Sequence, residues 1–180
     1  MSRLHAAPVA DATGQAADLF AAITKAAGKV PNAYAAIGSN SALALDAVLK
    51  LDAALGKSSL SKKEVETIKL AVSEANGCDY CVAAHNLMGR KAGLSDADLL
   101  AIRRGDATDD ERLDVLAGFA RSLVTTQGTV PAETVRTVQA AGFTDAQIVD
   151  TMLAITAISF TNLFNRVNDT AVDFPVPAAI

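Results

Sequence analysis

The chain has 180 residues, enough to bury one hydrophobic core, and 51% of them are hydrophobic although there is no Trp and only 4% are aromatic. Its formal net charge of −4 and pI near 5.1 exclude the strongly basic surface that is typical of nucleic-acid binding. Aliphatic, alanine-rich sequences favour helices that approach closely, so the composition predicts a single all-α domain over residues 1–180.

Helical spacing of apolar residues recurs along the chain, and no segment has the convincing pattern of a strand. The pattern predicts a first helix over 16–28 and a second over 41–55, with Gly28 and Gly56 as their stops. The segment 30–32, Val-Pro-Asn, is predicted to break the chain between them. Two further helices are predicted at about 110–126 and 131–141.

Three more helices are predicted from a repeated start signal. An apolar residue precedes a Ser or Thr, and an acidic or amide residue follows three positions later: Ser61 with Glu64, Ser95 with Asp98, and Thr144 with Gln147. This is the capping box with its hydrophobic staple, in which side chain and backbone at a helix start satisfy each other's hydrogen bonds. With one helix that carries the cysteines, the sequence predicts about eight helices.

The chain also contains two similar segments, a possible internal repeat. A shift of 84 residues aligns the segment that starts at Val65 with the one that starts at Val149, and it places polar groups on reactive ones: Asn162 on Cys78, Asn165 on Cys81, and Asp169 on His85. This possible internal repeat predicts that a helix pair at about 61–92 is duplicated in degenerate form at about 144–170. Chance similarity between two buried helices with one capping pattern is the alternative.

Two interpretations are open for the polar residues of the second segment, Asn162, Asn165, Arg166 and Asp169. They can be internally satisfied groups of a buried helix, which is the interpretation we favour because so apolar a helix must satisfy its few polar groups. Alternatively, the repeat can place them on the pocket wall opposite the thiols.

The most informative motif contains both cysteines of the chain. Cys78 and Cys81 are three residues apart, and His85 follows four residues after the second. A close dithiol can carry two electrons by cycling to a disulfide, and the spacing puts all three side chains on one helix face. Gly77 predicts that the thiols lie in the first helical turn, where backbone N–H groups and the dipole stabilise a thiolate. We expect His85 to exchange a proton with Cys81, and Glu66, on the preceding helix, to reach His85 and complete a relay.

The pattern E-x11-C-x2-C-x3-H over Glu66–His85 resembles the core of the AhpD-like alkylhydroperoxidases in the carboxymuconolactone decarboxylase superfamily. Segments 28–32 and 165–169 are also similar to its peroxidase-related branch. The resemblance implies an AhpD-like helical bundle whose catalytic residues are the following four: Glu66, Cys78, Cys81 and His85. It implies neither a cofactor nor a metal. Many members have His where this chain has Tyr80, which removes a possible second proton carrier, and we interpret Tyr80 as a pocket wall.

The activity that the resemblance implies is reduction of an organic hydroperoxide. A thiolate at Cys81 becomes a sulfenic acid, Cys78 condenses with it to a disulfide, and an external dithiol such as a lipoyl group on a partner protein reduces the pair. From the residues alone either cysteine can be the attacking one, because Cys78 is nearer the helix terminus while Cys81 has the closer base. Members with decarboxylase activity lack the cysteine pair, so decarboxylation is not expected. Family members typically form trimers or hexamers, and a homo-oligomer is expected here.

Three alternatives remain open at this point. The dithiol can serve a redox sensor that oxidises without turnover, it can be an inert buried pair, or it can join His85 and Glu66 in a structural zinc site. A lone CxxC is no secreted disulfide framework and indicates a reducing, cytoplasmic setting. No membrane association is expected, because the uncharged run Thr151–Asn165 is too short to span a bilayer.

Overall fold

The computed structural model describes residues 2–180, and this part of the chain contains nine α-helices, one short 3-10 turn and no strand. The helices are α1 (Gly14–Ala27), α2 (Asn32–Asn40), α3 (Ala42–Leu55), α4 (Lys62–Ala75), α5 (Asp79–Lys91), α6 (Asp96–Arg104), α7 (Glu111–Thr125), α8 (Ala132–Ala140) and α9 (Asp145–Asn168). The predicted all-α fold is confirmed. The helix that was not predicted is α2, where Pro31 occupies the N-cap and its missing N–H costs no helical hydrogen bond.

All three predicted capping boxes are present. In each, the Ser or Thr side chain accepts from a backbone N–H while the residue three positions later bonds back to the cap: Ser61 with Glu64, Ser95 with Asp98, and Thr144 with Gln147. The first box also contributes to tertiary structure, because Arg112 Nε lies 3.1 Å from Glu64 Oε1. The start of α4 is thereby held against α7.

The core is built around α4, which packs against α5, α7 and α9. Its side chains from Ile68 to Val72 include four that are fully shielded from solvent: Ile68, Leu70, Ala71 and Val72. A helix buried on most of its surface has little freedom to shift, since protein interiors are close-packed. The side chains that α4 presents to α5 are therefore held in place.

The longest helix, α9, has 24 residues and is apolar enough, by length and composition alone, to cross a membrane. It extends beyond the uncharged run Thr151–Asn165 at both ends and matches the predicted second segment at about 144–170. The helix packs against α3, α4 and α5, and its inner face buries three asparagines: Asn162, Asn165 and Asn168. This arrangement is that of a core helix in a folded domain.

After α9, residues 170–180 form a C-terminal segment without helix or strand that contacts the starts of α2 and α5. Asp173 accepts a hydrogen bond from Lys29 Nζ at 2.8 Å and one from the Tyr80 hydroxyl at 2.7 Å. Farther along, Arg103 donates to the carbonyl of Ala178. The C-terminal segment is therefore fastened at two points, and Phe174 between them helps to line the site described next.

Candidate active site

The two cysteines lie at the turn between α4 and α5. Gly77 has φ +61°, a left-handed conformation that glycine adopts without steric cost, and it turns the chain into α5. Cys81 lies in the first turn of α5, as the sequence predicted, and Cys78 is the N-cap, one residue before the helix begins. The N-terminal N–H groups of a helix have no intrahelical acceptor, so the thiols lie where negative charge is favoured.

Glu66 and His85 are brought together across the α4–α5 pair. Glu66 Oε2 lies 2.8 Å from His85 Nδ1, and the two side chains are 17% and 15% exposed. A carboxylate bound to one ring nitrogen fixes the orientation of the imidazole and leaves Nε2 as the nitrogen that can serve another group. The contact that the sequence suggested is present in the structure.

Cys81 and Cys78 are both free and buried, but they differ in what they face. Cys81 lines a cavity of about 260 Å³, together with His85 and Glu66, whereas Cys78 is not part of the cavity wall. The rest of the wall is mostly apolar: Ile23, Ala27, Pro31, Ala33, Tyr34, Lys69, Tyr80, Ala84, Met88, Thr161, Asn165 and Phe174. A molecule in this cavity therefore meets Cys81, with Cys78 behind it.

The surroundings of the two thiols separate their acidities. A hydrogen bond from Cys78 and the charge on His85 lower the pKa of Cys81 to about 6, although burial acts in the opposite direction. The pKa of Cys78 is raised, because its thiol is engaged with Cys81 and is also buried. Near neutral pH, Cys81 is thus the thiolate of the pair and Cys78 the thiol that supports it.

For Asn165, the structure favours the alternative interpretation, a position on the pocket wall, over the preferred one of an internally satisfied group. Its Nδ2 lies 3.3 Å from Cys81 Sγ, it lines the cavity, and its Oδ1 is buried without a hydrogen-bond partner among the described residues. It is therefore not an internally satisfied group. Asn162 does fit that description, with bonds to Ser73 and Asn76, whereas Arg166 and Asp169 are exposed.

The possible internal repeat was the signal for Asn165 as a pocket residue, because the shift of 84 residues that relates the two segments places Asn165 on Cys81. Residues related by a twofold axis meet each other when they lie close to it. Contact between Asn165 and Cys81 is what such an axis would produce, and the duplication itself stays a prediction.

Tyr80 forms part of the cavity wall, as predicted. Its hydroxyl donates to Asp173 Oδ1 at 2.7 Å and accepts from the backbone N–H of Ala33 at 3.1 Å. The Phe174 ring packs edge-on against the Tyr80 ring, with centroids 5.5 Å apart. Tyr80 thus connects the CxxC turn to the C-terminal segment.

The zinc alternative finds no matching geometry. Within residues 2–180, no group of three or more His, Cys, Asp or Glu side chains is arranged to hold a metal ion. Glu66, which would have to be a ligand, is engaged with His85 Nδ1 instead. Three ligands from two turns of one helix also fit a tetrahedron poorly.

The fold and the site together define an all-α protein with a buried two-cysteine turn. The chain is similar to known proteins of this kind. Residues 42–121 match the model of the carboxymuconolactone decarboxylase family. Alkyl hydroperoxide reductase AhpD from Mycobacteroides abscessus is 35% identical over 71 residues, and AhpD from Azorhizobium caulinodans is 42% identical over 52. These segments cover 39% and 28% of this chain, and 37% and 29% of the two relatives' own lengths, so less than half of each relative is matched.

Solved structures extend the similarity to nearly the whole chain. A peroxidase-related protein from Silicibacter sp. TM1040 superposes with a TM-score of 0.78 at 26% identity, over 95% of this chain and 94% of its own. The alkylhydroperoxidase AhpD core from Ralstonia eutropha JMP134 (TM-score 0.84, 23% identity, 96% and 92% covered) and the debrominase Bmp8 (0.80, 18%, 96% and 93%) share the fold. The predicted resemblance to the AhpD-like proteins of the carboxymuconolactone decarboxylase superfamily is confirmed.

Proposed function

We propose that the protein is a thiol-dependent peroxidase that reduces organic hydroperoxides. The observation that carries the proposal is that Cys81, with its lowered pKa, faces an apolar cavity beside a paired Glu66 and His85. Relatives named alkyl hydroperoxide reductase support the same class of chemistry. The fold alone would not support a peroxidase activity, because a debrominase shares this fold.

In the first step, the Cys81 thiolate attacks the terminal oxygen of R–O–O–H. An S–O bond forms and the O–O bond breaks, so the sulfur is oxidised to a sulfenic acid and the peroxide is reduced. The departing alkoxide takes a proton from His85 Nε2 and leaves as the alcohol. Glu66 holds the ring through Nδ1 and stabilises its positive charge before this transfer.

In the second step, Cys78 attacks the sulfenic sulfur of Cys81. An S–S bond forms, and the hydroxyl leaves as water with the proton of the Cys78 thiol. An external dithiol, such as a lipoyl group on a partner protein, then reduces the disulfide and is itself oxidised. Because both cysteines must return to thiols in every cycle, the proposal places the protein in the cytoplasm.

The first test uses the reduced wild-type protein and one equivalent of cumene hydroperoxide. We expect the intact mass to fall by two hydrogens and both free thiols to disappear, because the disulfide is the product of one cycle. With excess dihydrolipoamide, many equivalents of peroxide should be consumed. A sensor would stop after one equivalent, and oxidation no faster than that of free cysteine would contradict both functions.

We further propose that the protein forms a homo-oligomer through α9. An apolar stripe runs along its outer face, with residues spaced three, eight, three and four apart: Val149, Met152, Phe160, Leu163 and Val167. Leu163, the most exposed of them at 66%, lies on the uncharged part of the helix. Exposed apolar surface of this extent is typical of interaction sites, and a second copy offers the same apolar stripe to cover it.

Leu163→Glu is expected to reduce the mass of the oligomer, because a carboxylate cannot be buried in an apolar contact without a partner. Light scattering coupled to size exclusion measures the change against the trimer or hexamer expected for the wild type. Leu43→Glu is the matched control, since Leu43 on α3 is 73% exposed and lies outside the stripe. A monomeric wild type, or an unchanged mass for Leu163→Glu, would contradict the proposal.

A further inference from the structure

A second cavity, of about 390 Å³, lies beside the thiol cavity, and the proposed peroxidase cycle does not use it. The two cavities share three wall residues, Glu66, Lys69 and Met88, so they are neighbouring parts of one groove. The wall of the second cavity includes Leu55 and Leu60, and Met88 at the junction is 36% exposed. Cys81 lies at one end of this groove, and the wall of the second cavity combines apolar side chains with five charged ones: Asp52, Lys62, Glu66, Lys69 and Lys91.

The helices show where the other end of the groove lies. Along α5, Cys81, His85, Met88 and Lys91 occupy successive turns, and a rise of 1.5 Å per residue puts Lys91 roughly 15 Å beyond Cys81. Helix α4 lies alongside, and Glu66 meets His85 at the middle of the groove. Lys62, one turn before Glu66, lines the same cavity as Lys91.

The charges of the groove leave this far end positive. Asp52 Oδ1 is bound to Lys69 Nζ at 2.7 Å, and Glu66 is bound to His85, so both acids of the cavity wall already have partners. Lys62 and Lys91 are exposed and have no ion-pair partner among residues 2–180. Two unpaired ammonium groups at one end of a groove that also has apolar wall residues attract an anion that carries an apolar chain.

We propose that this groove binds the carboxylate end of a long-chain organic hydroperoxide. Lys62 and Lys91 bind the carboxylate, the chain lies over Met88 and Leu60, and the hydroperoxide group reaches Cys81. The roughly 15 Å between the two ends corresponds to an acyl chain of about a dozen carbons. The inference names a substrate class for the thiol site, and it therefore rests on the function proposed above.

The test measures binding without any peroxide, so its result is independent of whether the protein is a peroxidase. Calorimetry below the micellar range would compare dodecanoate with dodecanol, which has the same chain and no charge. We expect the wild type to bind dodecanoate about tenfold more tightly, because two ammonium groups face the carboxylate. Lys62→Gln/Lys91→Gln should remove this preference, whereas Arg104→Gln/Arg136→Gln, with the same change in net charge elsewhere, should keep it.

A second measurement asks whether the chain of the bound acid reaches the thiol. Saturating dodecanoate should slow the alkylation of Cys81 by iodoacetamide several-fold, and the same concentration of acetate should not. Equal affinity for dodecanoate and dodecanol, a preference that survives Lys62→Gln/Lys91→Gln, or binding that leaves Cys81 unprotected would each overturn the inference. The lysines would then serve another role, such as contact with an acidic partner surface.

Discussion

Cys81→Ser is expected to abolish the reaction with hydroperoxide, whereas Cys78→Ser should still react once and stop at the sulfenic acid. The reason is that Cys81 faces the cavity with a pKa of about 6, while Cys78 lies behind it and supplies only the second thiol. A serine hydroxyl is not ionised near neutral pH, so Cys81→Ser loses the nucleophile, and we expect a decrease of about 10³-fold or more in the rate of peroxide loss.

Intact mass after one equivalent of cumene hydroperoxide measures both outcomes. Cys78→Ser should gain one oxygen and then react with dimedone, and Cys81→Ser should stay unmodified with Cys78 free. Retained helical circular dichroism in both variants would show that the buried turn tolerates the smaller side chain. The reverse pattern, with a trapped sulfenic acid in Cys81→Ser, would assign the attack to Cys78 and contradict the proposed roles.

The local part of the candidate site followed from the sequence because it depends on short spacings. Cys78, Cys81 and His85 lie within two turns of one helix, and a turn of three residues joins that helix to the one carrying Glu66. Helical periodicity and a short connection leave two such helices few arrangements, so proximity of Glu66 to His85 was a reasonable expectation. The helix starts were predictable for the same reason, since a capping box is a four-residue signal.

The distant part of the site could not be read from spacing. Asn165 and Phe174 reach the cavity from 84 or more positions beyond Cys81, and only the packing of α9 and of the C-terminal segment brings them there. The structural interpretation was preferred for Asn165 because a buried asparagine usually has its hydrogen bonds satisfied. In the structure its Nδ2 contacts the Cys81 thiol, and its Oδ1 has no hydrogen-bond partner among the described residues. The possible internal repeat indicated that Asn165 corresponds to Cys81, but one sequence does not distinguish a repeat from chance similarity.

His85→Gln is expected to slow the reaction of Cys81 with hydroperoxide by about 10²-fold or more, because it removes both the acid for the leaving alkoxide and a charge that favours the thiolate. Glu66→Gln keeps the imidazole but weakens its orientation, so a smaller decrease of about tenfold is expected. His5→Gln is the matched control, since His5 is the other histidine of the chain and is exposed. Single-turnover rates at pH 7 compare the three.

The pH dependence separates the two roles of His85. In the wild type, the pKa of Cys81 is lowered to about 6, so the thiolate predominates at pH 7 and is lost as the pH falls through 6. Alkylation by iodoacetamide, which needs the thiolate but no proton donor, should follow this curve and fall about tenfold for each pH unit below it. Loss of the positive charge in His85→Gln raises the pKa of Cys81 and moves the curve to higher pH.

At a pH where the thiolate of His85→Gln is fully formed, the remaining decrease in the rate with hydroperoxide measures proton donation alone. If no deficit remains there, His85 acts on Cys81 only through its charge, and the alkoxide takes its proton from another donor.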